Sequence, residues 1–162
     1  MTKPIPAVTL VPMSPAAWDA WRAVSISEYA AAKVRAGTWT AADGPARAER
    51  EFAELLPQGL ATPAQELRSI LAADGTDVGV VWLGPRDVPG TGTCYIWDIV
   101  VRSEFRGQGF GRATLLALEP LARELGYDAI GLHVFSDNTV AHELYRTSGY
   151  VATDVTMIKT LA

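Results

Sequence analysis

The stretch that decides the fold runs from residue 98 to residue 112 and reads DIVVRSEFRGQGFGR. Residues 99–101 near its start are apolar and β-branched, which is typical of a buried strand. Its second half carries glycines at positions 107, 109 and 111 and leads into a predicted helix over 109–125. Glycine lets a backbone approach a ligand closely, and the free N–H groups at a helix start favour an anion. Residues 108–112 are therefore predicted either to hold a pyrophosphate on main-chain amides or to close a tight strand-to-helix corner.

Two common phosphate-binding loops do not match this stretch. A Walker loop requires G-x-x-x-x-G-K-[ST], which is absent from the sequence. A dinucleotide-binding loop requires G-x-G-x-x-G or a final alanine, and neither possible register supplies it. Those two classes of nucleotide-binding protein are not indicated.

Outward from this stretch, turn residues divide the chain into short strands and amphipathic helices. Ser14 before Pro15 predicts a helix N-cap, and Asp74-Gly75 between apolar runs predicts a hairpin. Strands are predicted over 7–12, 66–71, 78–83, 94–101 and 129–135, helices over 15–36, 45–56, 109–125 and 138–148, and one or two final strands over 150–161. This order predicts an α+β fold with a mixed sheet and helices on both faces.

Composition narrows the class of protein. The chain has 162 residues, of which 49% are hydrophobic, and this length favours a single domain over residues 1–162. The net charge of −4 argues against a nucleic-acid partner, which requires a basic surface. The single cysteine, Cys94, excludes an intrachain disulfide framework and a cysteine-rich zinc site, and no metal is expected. Without a long apolar segment or a signal-peptide core, no membrane association and a cytoplasmic location are expected.

Two segments resemble the signatures of one enzyme superfamily. Arg106-x-x-Gly109-x-Gly111, between a strand and an amphipathic helix, resembles the acyl-CoA-binding motif of the GNAT acetyltransferases. Residues 132–150 are similar to the second signature, in which a strand ends at an asparagine and a helix with alanine and Leu-Tyr closes on Gly-aromatic. Together the signatures cover about residues 94–151. The resemblance implies a GNAT-like central, mostly antiparallel, splayed β-sheet.

The resemblance also implies where acetyl-CoA, the acyl donor, binds. Main-chain groups of residues 99–101 would pair with the pantetheine amides, and residues 108–112 would hold the pyrophosphate. Asn138 and Ala141 would flank the pantetheine arm, with Tyr145 near the sulfur. The expected donor-binding residues are Ile99, Val100, Val101, Arg106, Gly107, Gln108, Gly109, Phe110, Gly111, Arg112, Asn138, Ala141 and Tyr145.

Three residues are candidates for catalysis. Tyr145 would protonate the leaving thiolate, because a phenol keeps its proton at neutral pH. Family members often carry the base at the positions of Tyr95 and Trp97, and neither residue is a base. Asp98 and His133 therefore remain as candidate bases, with Glu28 or Glu51 acting through water as further possibilities. Asp98 lies on the opposite face from Trp97 unless a bulge intervenes, and it has the alternative role of a buried, hydrogen-bonded carboxylate. For His133 the alternative is a structural role.

The acceptor is expected to be a primary amine of a small molecule, peptide or protein, used by a monomer or homodimer. Five aromatic residues are candidates for an acceptor pocket, and at least three of them are expected in the core: Trp21, Tyr29, Trp39, Trp82 and Trp97. Trp39 is the best pocket candidate because it follows Gly37 in a loop. The absence of a base at positions 95 and 97 favours a second hypothesis, a GNAT-like domain that binds CoA as a sensor or interaction module without turnover.

Overall fold

One five-stranded sheet forms the centre of the fold. The computed structural model describes residues 4–86 and 92–161. The strands are β1 (Val8–Pro12), β2 (Glu66–Ala72), β3 (Asp77–Pro85), β4 (Thr93–Val101) and β5 (Ala129–Leu132), in that spatial order. Strands β1 to β4 are antiparallel neighbours, and β5 joins β4 in parallel. The predicted mostly antiparallel sheet is confirmed, as is the hairpin between β2 and β3.

Four helices flank the sheet: α1 (Pro15–Arg35), α2 (Gly44–Leu55), α3 (Phe110–Glu124) and α4 (Thr139–Thr147). Single 3₁₀ turns occur at Gly59–Ala61 and Ser103–Phe105. Local signals explain the helix boundaries. The hydroxyl of Ser14 accepts a hydrogen bond from the amide of Ala17 at 3.2 Å, and Gly37 follows α1 with φ +72°. No helix of the described residues is long and apolar enough to cross a membrane.

The two faces of the sheet carry separate hydrophobic clusters. Helices α1 and α2 cover one face of the sheet. There the ring centroid of Trp82 lies 5.7 Å from that of Trp21 and 5.5 Å from that of Phe52. Helix α3 covers the other face through Leu115 and Leu118, with side chains of α4 at its border. Because both apolar faces are buried against helices, the predicted layering is confirmed.

The aromatic residues are less buried than the sequence predicts. Trp21 and Trp82 belong to the core at 6% and 2% exposure. Tyr29, Trp39 and Trp97 are only partly buried and pack at the border of that core. Two of the five candidates are therefore core residues where at least three were expected, because the C-terminal half of α1 and the following loop form the edge of the cluster.

The prediction of one or two strands over 150–161 is wrong for the single chain. Tyr150 packs against the second cluster, and residues 151–161 are exposed and form no strand. Strand β5 is also shorter than predicted and ends at Leu132. Both differences have one physical cause: a strand needs a hydrogen-bonding neighbour, and these segments have none within the described chain.

Candidate functional site

The candidate site is the gap that opens between β4 and β5. The two strands pair only from Thr93 with Ala129 to Ile96 with Leu132, after which β5 ends. Strand β4 continues to Val101, and over residues 97–101 it pairs with β3 alone among the described strands. Every second residue of 97–101 therefore directs its main-chain N–H and C=O into a gap that no strand fills. These groups are available to a ligand with amides of its own.

A β-bulge at Trp97 shapes the wall of this gap. Trp82 of β3 faces Asp98, whereas the next residue, Leu83, faces Ile96, so Trp97 is the extra residue of β4. The bulge brings two consecutive side chains to the same face of the sheet. Trp97 stacks on Trp82 at 5.6 Å, and Asp98 reaches helix α1. The bulge therefore breaks the strict alternation of side chains that would otherwise place Trp97 and Asp98 on opposite faces of the sheet.

Asp98 anchors α1 to the bulge. Its Oδ2 accepts a hydrogen bond of 2.8 Å from Nε1 of Trp21 and another of 2.8 Å from the hydroxyl of Ser25. Burial raises the pKa of Asp98, and the two hydrogen bonds oppose this effect by favouring the charged form. Both partners belong to helix α1, so Asp98 has the buried, hydrogen-bonded environment that the sequence analysis gave as the alternative to a base. The geometry shows that Asp98 joins β4 to α1.

The loop between β4 and α3 presents unsatisfied amides. Gly109 adopts φ +92° and precedes α3 without a side-chain cap. The N–H groups of Phe110, Gly111 and Arg112 lie in the first helical turn, where no preceding helical carbonyl is available. Within residues 4–86 and 92–161, none of these three amides donates a hydrogen bond to the protein. The loop therefore offers an anion-binding surface at one end of the gap.

Two long side chains brace this loop. Nε of Arg106 donates to the carbonyl of Val101 at 3.0 Å, and Nε2 of Gln108 donates to the carbonyl of Glu104 at 2.8 Å. Because both contacts return to the main chain, they hold the loop in one conformation. Gly107 lies between the two braces with φ +68°.

Arg112 has a partner of its own. Its guanidinium donates to the carbonyl of Thr147 at 2.9 Å and to the hydroxyl of Thr147 at 2.6 Å. These bonds tie the start of α3 to the end of α4, where the last carbonyls of a helix lack partners. The Arg112 side chain therefore links α3 to α4. Only the main-chain amide of Arg112 is left for the pyrophosphate-binding role that the sequence predicts.

Helix α4 carries the remaining predicted donor-binding residues, Asn138 at its N-cap, Ala141 and Tyr145. Oδ1 of Asn138 caps the helix by accepting from the amide of Ala141 at 3.2 Å, and Tyr145 lies one turn beyond Ala141. Burial and then the charge of Asp98 raise the pKa of Tyr145 to about 12. The phenol is therefore protonated at neutral pH. The structure brings Tyr145 within electrostatic reach of Asp98, although the sequence separates them by 47 positions.

His133 lies immediately beyond the end of β5 and is exposed, with its ring 5.1 Å from that of Phe135. Partial burial, followed by the charges of Lys33 and Arg86, lowers the pKa of His133 below its ordinary value. The imidazole is consequently neutral near pH 7 and able to accept a proton.

Sequence analysis named Tyr29 and Trp39 as acceptor-pocket candidates, but it missed that the ammonium of Lys33 lies over both rings. The rings of Tyr29 and Trp39 meet edge to face at 5.4 Å, and Nζ of Lys33 lies 5.4 and 5.5 Å from their centroids. The hydroxyl of Tyr29 donates to Glu51 at 2.7 Å. Trp39 and Glu51 also line a surface pocket along α2. The spacing of four residues between Tyr29 and Lys33 on one helix was the available signal.

Comparison with known proteins identifies the family. The sequence profile of the Acetyltransferase (GNAT) family matches residues 29–150. The chain is 33% identical to the uncharacterized N-acetyltransferase YycN of Bacillus subtilis over 154 residues, which are 95% of this chain and 99% of the relative. It is 30% identical to YdgE of the same organism, another uncharacterized N-acetyltransferase, over 96% of this chain and 99% of that one.

Solved structures agree with this assignment. The crystal structure of the putative acetyltransferase YycN from Bacillus subtilis superposes with a TM-score of 0.89 at 33% identity, covering 96% of this chain and 99% of that chain. AAC(6')-Iy in complex with the bisubstrate analog CoA-S-monomethyl-acetylneamine has the same fold, with a TM-score of 0.61 at 16% identity over 96% and 98% of the two chains. The chain therefore belongs to the Acetyltransferase (GNAT) family and is an acetyltransferase, as its family profile and its similarity to named acetyltransferases show.

Proposed function

We propose that this protein transfers an acetyl group from acetyl-CoA to a primary amine. The gap between β4 and β5 carries this proposal, because it combines free main-chain groups, an anion-binding loop and a protonated phenol. The complex of AAC(6')-Iy with a CoA-containing analog supports CoA chemistry on this fold.

The donor would bind by main-chain recognition. The pantetheine amides would pair with the free N–H and C=O groups of residues 99–101, as an added strand does at a sheet edge. The pyrophosphate would lie on the amides of residues 108–112, where the start of α3 adds its positive dipole end. Ala141 is small enough to leave room for the pantetheine arm beside Asn138.

Acetyl transfer first requires a neutral amine. An ammonium group with a pKa near 10 is neutral in roughly one molecule in a thousand at pH 7, which costs about 4 kcal/mol. His133 would accept this proton, because its lowered pKa keeps the imidazole neutral. Asp98 is the alternative base, although its Oδ2 already accepts two hydrogen bonds.

The amine nitrogen would then attack the thioester carbonyl, with the developing oxyanion held by a main-chain N–H near Val100. A C–N bond forms as the C–S bond breaks. Over the whole reaction the ammonium loses two protons. The base passes one of them to solvent. The other leaves the nitrogen after the C–N bond forms and restores the proton that Tyr145 gives to the thiolate. Tyr145 suits this step because its phenol is protonated and donates a hydrogen bond.

The rings of Tyr29 and Trp39 support an amine as the acceptor. The ammonium of Lys33 lies over both rings, and this geometry supports a role for them in attracting a cationic group. Whether the acceptor is a small molecule, a peptide or a protein is the question for a screen.

The proposal is tested by an acceptor screen. The protein would be incubated with acetyl-CoA and polyamines, aminoglycosides, amino acids, and peptides with a free N-terminus or lysine. We expect one acceptor class to gain an acetyl group by mass spectrometry, with an equal amount of free thiol released, and we expect Tyr145→Phe to slow both. Binding of acetyl-CoA without thiol release in any mixture would instead support the CoA sensor, which the aromatic residues at positions 95 and 97 favour.

A further inference from the structure

Lys33, in the last turn of α1, has a defined position. Its Nζ lies 5.4 Å from the ring centroid of Tyr29 and 5.5 Å from that of Trp39. The carbonyl of Lys33 also accepts hydrogen bonds from the amides of Thr38 at 3.0 Å and Trp39 at 3.3 Å. These two bonds turn the loop after α1 back onto the helix. The contacts therefore fix both the main chain and the partly buried side chain of Lys33.

The end of α1 lies against the segment that joins β5 to α4. Nε of Arg35 is 3.6 Å from a carboxylate oxygen of Asp137. Asp137 directly precedes Asn138, which caps α4 and is expected to flank the pantetheine arm. The candidate base, His133, lies four residues before Asp137, just beyond the end of β5. The helical turn that carries Lys33 is therefore next to the segment that contains both His133 and Asn138.

The charge of Lys33 reaches the candidate base. Partial burial is the main cause that lowers the pKa of His133, and the charge of Lys33 is the second cause. This effect agrees with the contact between Arg35 and Asp137, which brings the two segments together. A neutral imidazole beside an ammonium group is the pair that a proton transfer from an amine to a base requires.

We propose that Lys33 is an acetyl acceptor within the enzyme itself, so that the chain acetylates its own Lys33 when acetyl-CoA is bound. This inference rests on the proposed function, because it uses the same donor, base and acid. A lysine ammonium stands on a flexible four-carbon stem. It is therefore able to leave the two rings while the main chain of α1 stays in place.

The transfer follows the chemistry of an external amine. Nζ of Lys33 loses one proton to the base and attacks the thioester carbonyl. The C–N bond forms as the C–S bond breaks, and Tyr145 gives its proton to the leaving thiolate. A second proton then leaves the nitrogen and restores the phenol of Tyr145. The product is a neutral amide, so the rings of Tyr29 and Trp39 no longer contact a cation of the chain.

Lys159 provides an internal comparison. The chain has three lysines, at positions 3, 33 and 159. Lys159 is exposed, whereas Lys33 is partly buried. Uncatalysed acetylation by acetyl-CoA should therefore modify Lys159 at least as fast as Lys33. A faster reaction at Lys33 measures the assistance that the site gives.

The test incubates the protein with acetyl-CoA and no added amine, and follows each lysine by mass spectrometry of peptides. We expect Lys33 to be acetylated at least about tenfold faster than Lys159, at a rate per chain that does not depend on protein concentration. Tyr145→Phe should slow the reaction of Lys33 at least about tenfold and leave that of Lys159 unchanged. Lys33→Arg keeps a cation at this position and should abolish the fast phase of thiol release. Thermal unfolding checks that both variants keep their fold.

Equal rates at Lys33 and Lys159, or a Lys33 rate that Tyr145→Phe does not change, would overturn the proposal. A rate per chain that rises with protein concentration would also overturn it, because the transfer would then occur between copies. The acceptor screen distinguishes this failure from failure of the proposed function. Thiol release with an added amine, while Lys33 stays unmodified, would overturn self-acetylation alone. An absence of thiol release with every amine, and of modification at Lys33, would overturn both.

Discussion

Gly107 offers a sharp test of the donor site, because alanine at this position adds a single methyl group beside the proposed pyrophosphate. Apart from its two chain neighbours, a Cβ there would meet no atom of the described residues within 4 Å, so the substitution creates no clash with them. Gly109 is the poorer choice. Its Cβ would lie 3.0 Å from Cδ of Pro6, so a valine there would disturb the fold as well as the ligand.

The structure sets the expected magnitudes for Gly107→Ala. A residue with a side chain costs about 1–2 kcal/mol in the left-handed region that Gly107 occupies at φ +68°. For a chain of this size each kcal/mol lowers Tm by about 2–4 °C, so Tm should fall by about 2–8 °C. If the added methyl group moves the pyrophosphate away from one main-chain N–H, the lost hydrogen bond to this charged group costs about 1.5–3 kcal/mol. Calorimetry should therefore show acetyl-CoA binding weakened by about 10- to 150-fold.

Gly75→Ala is the matched control. Gly75 lies in the β2–β3 turn with φ +86°, and its Cβ would also meet nothing within 4 Å. It should lose a similar amount of stability and keep the wild-type affinity for acetyl-CoA. Equal affinities of Gly107→Ala and Gly75→Ala would refute the placement of the pyrophosphate on this loop.

Three further substitutions test the proposed catalytic roles of Tyr145 and His133 and the raised pKa of Asp98. Tyr145→Phe should slow the chemical step at least tenfold in a single-turnover measurement with little change in acetyl-CoA affinity, and a wild-type rate would exclude Tyr145 as the acid. His133→Ala should lower kcat/KM by about a hundredfold and remove an acid-limb inflection that lies below pH 6.5. An unchanged pH profile would transfer the role of base to Asp98. Asp98→Asn concerns stability: because burial raises the folded pKa, the contribution of Asp98 is greatest below its unfolded pKa of 3.8 and is lost as pH rises through the folded value. Urea unfolding should show that the difference between wild type and Asp98→Asn changes in this direction over that range, and a constant difference would contradict the raised pKa.

Local signals explain what could be predicted from the sequence. Ser14-Pro15 and Gly37 bound α1, Gly126 follows α3, and Asp74-Gly75 turns the hairpin. Each signal acts within a few residues of the boundary that it determines, so the chain carries it without reference to the fold.

Features that depend on distant partners were not available from the sequence. The face of the sheet on which the Asp98 side chain lies depends on the register between β3 and β4, which the bulge at Trp97 shifts. The partner of Arg112 lies 35 positions away at Thr147. The pattern over 150–161 predicted a strand that the structure does not contain, because a pattern does not say whether a neighbouring strand is available for pairing.

The central claim is that acetyl-CoA lies in the gap between β4 and β5, and it is tested most directly by titrating CoA into the isotopically labelled protein and following backbone amide resonances by NMR. The account predicts that the largest shifts fall on residues 99–101 and 107–112, with smaller shifts at the start of α4 near Ala141. Largest shifts along α2 or in the β2–β3 turn, or no shifts at saturating CoA, would contradict it.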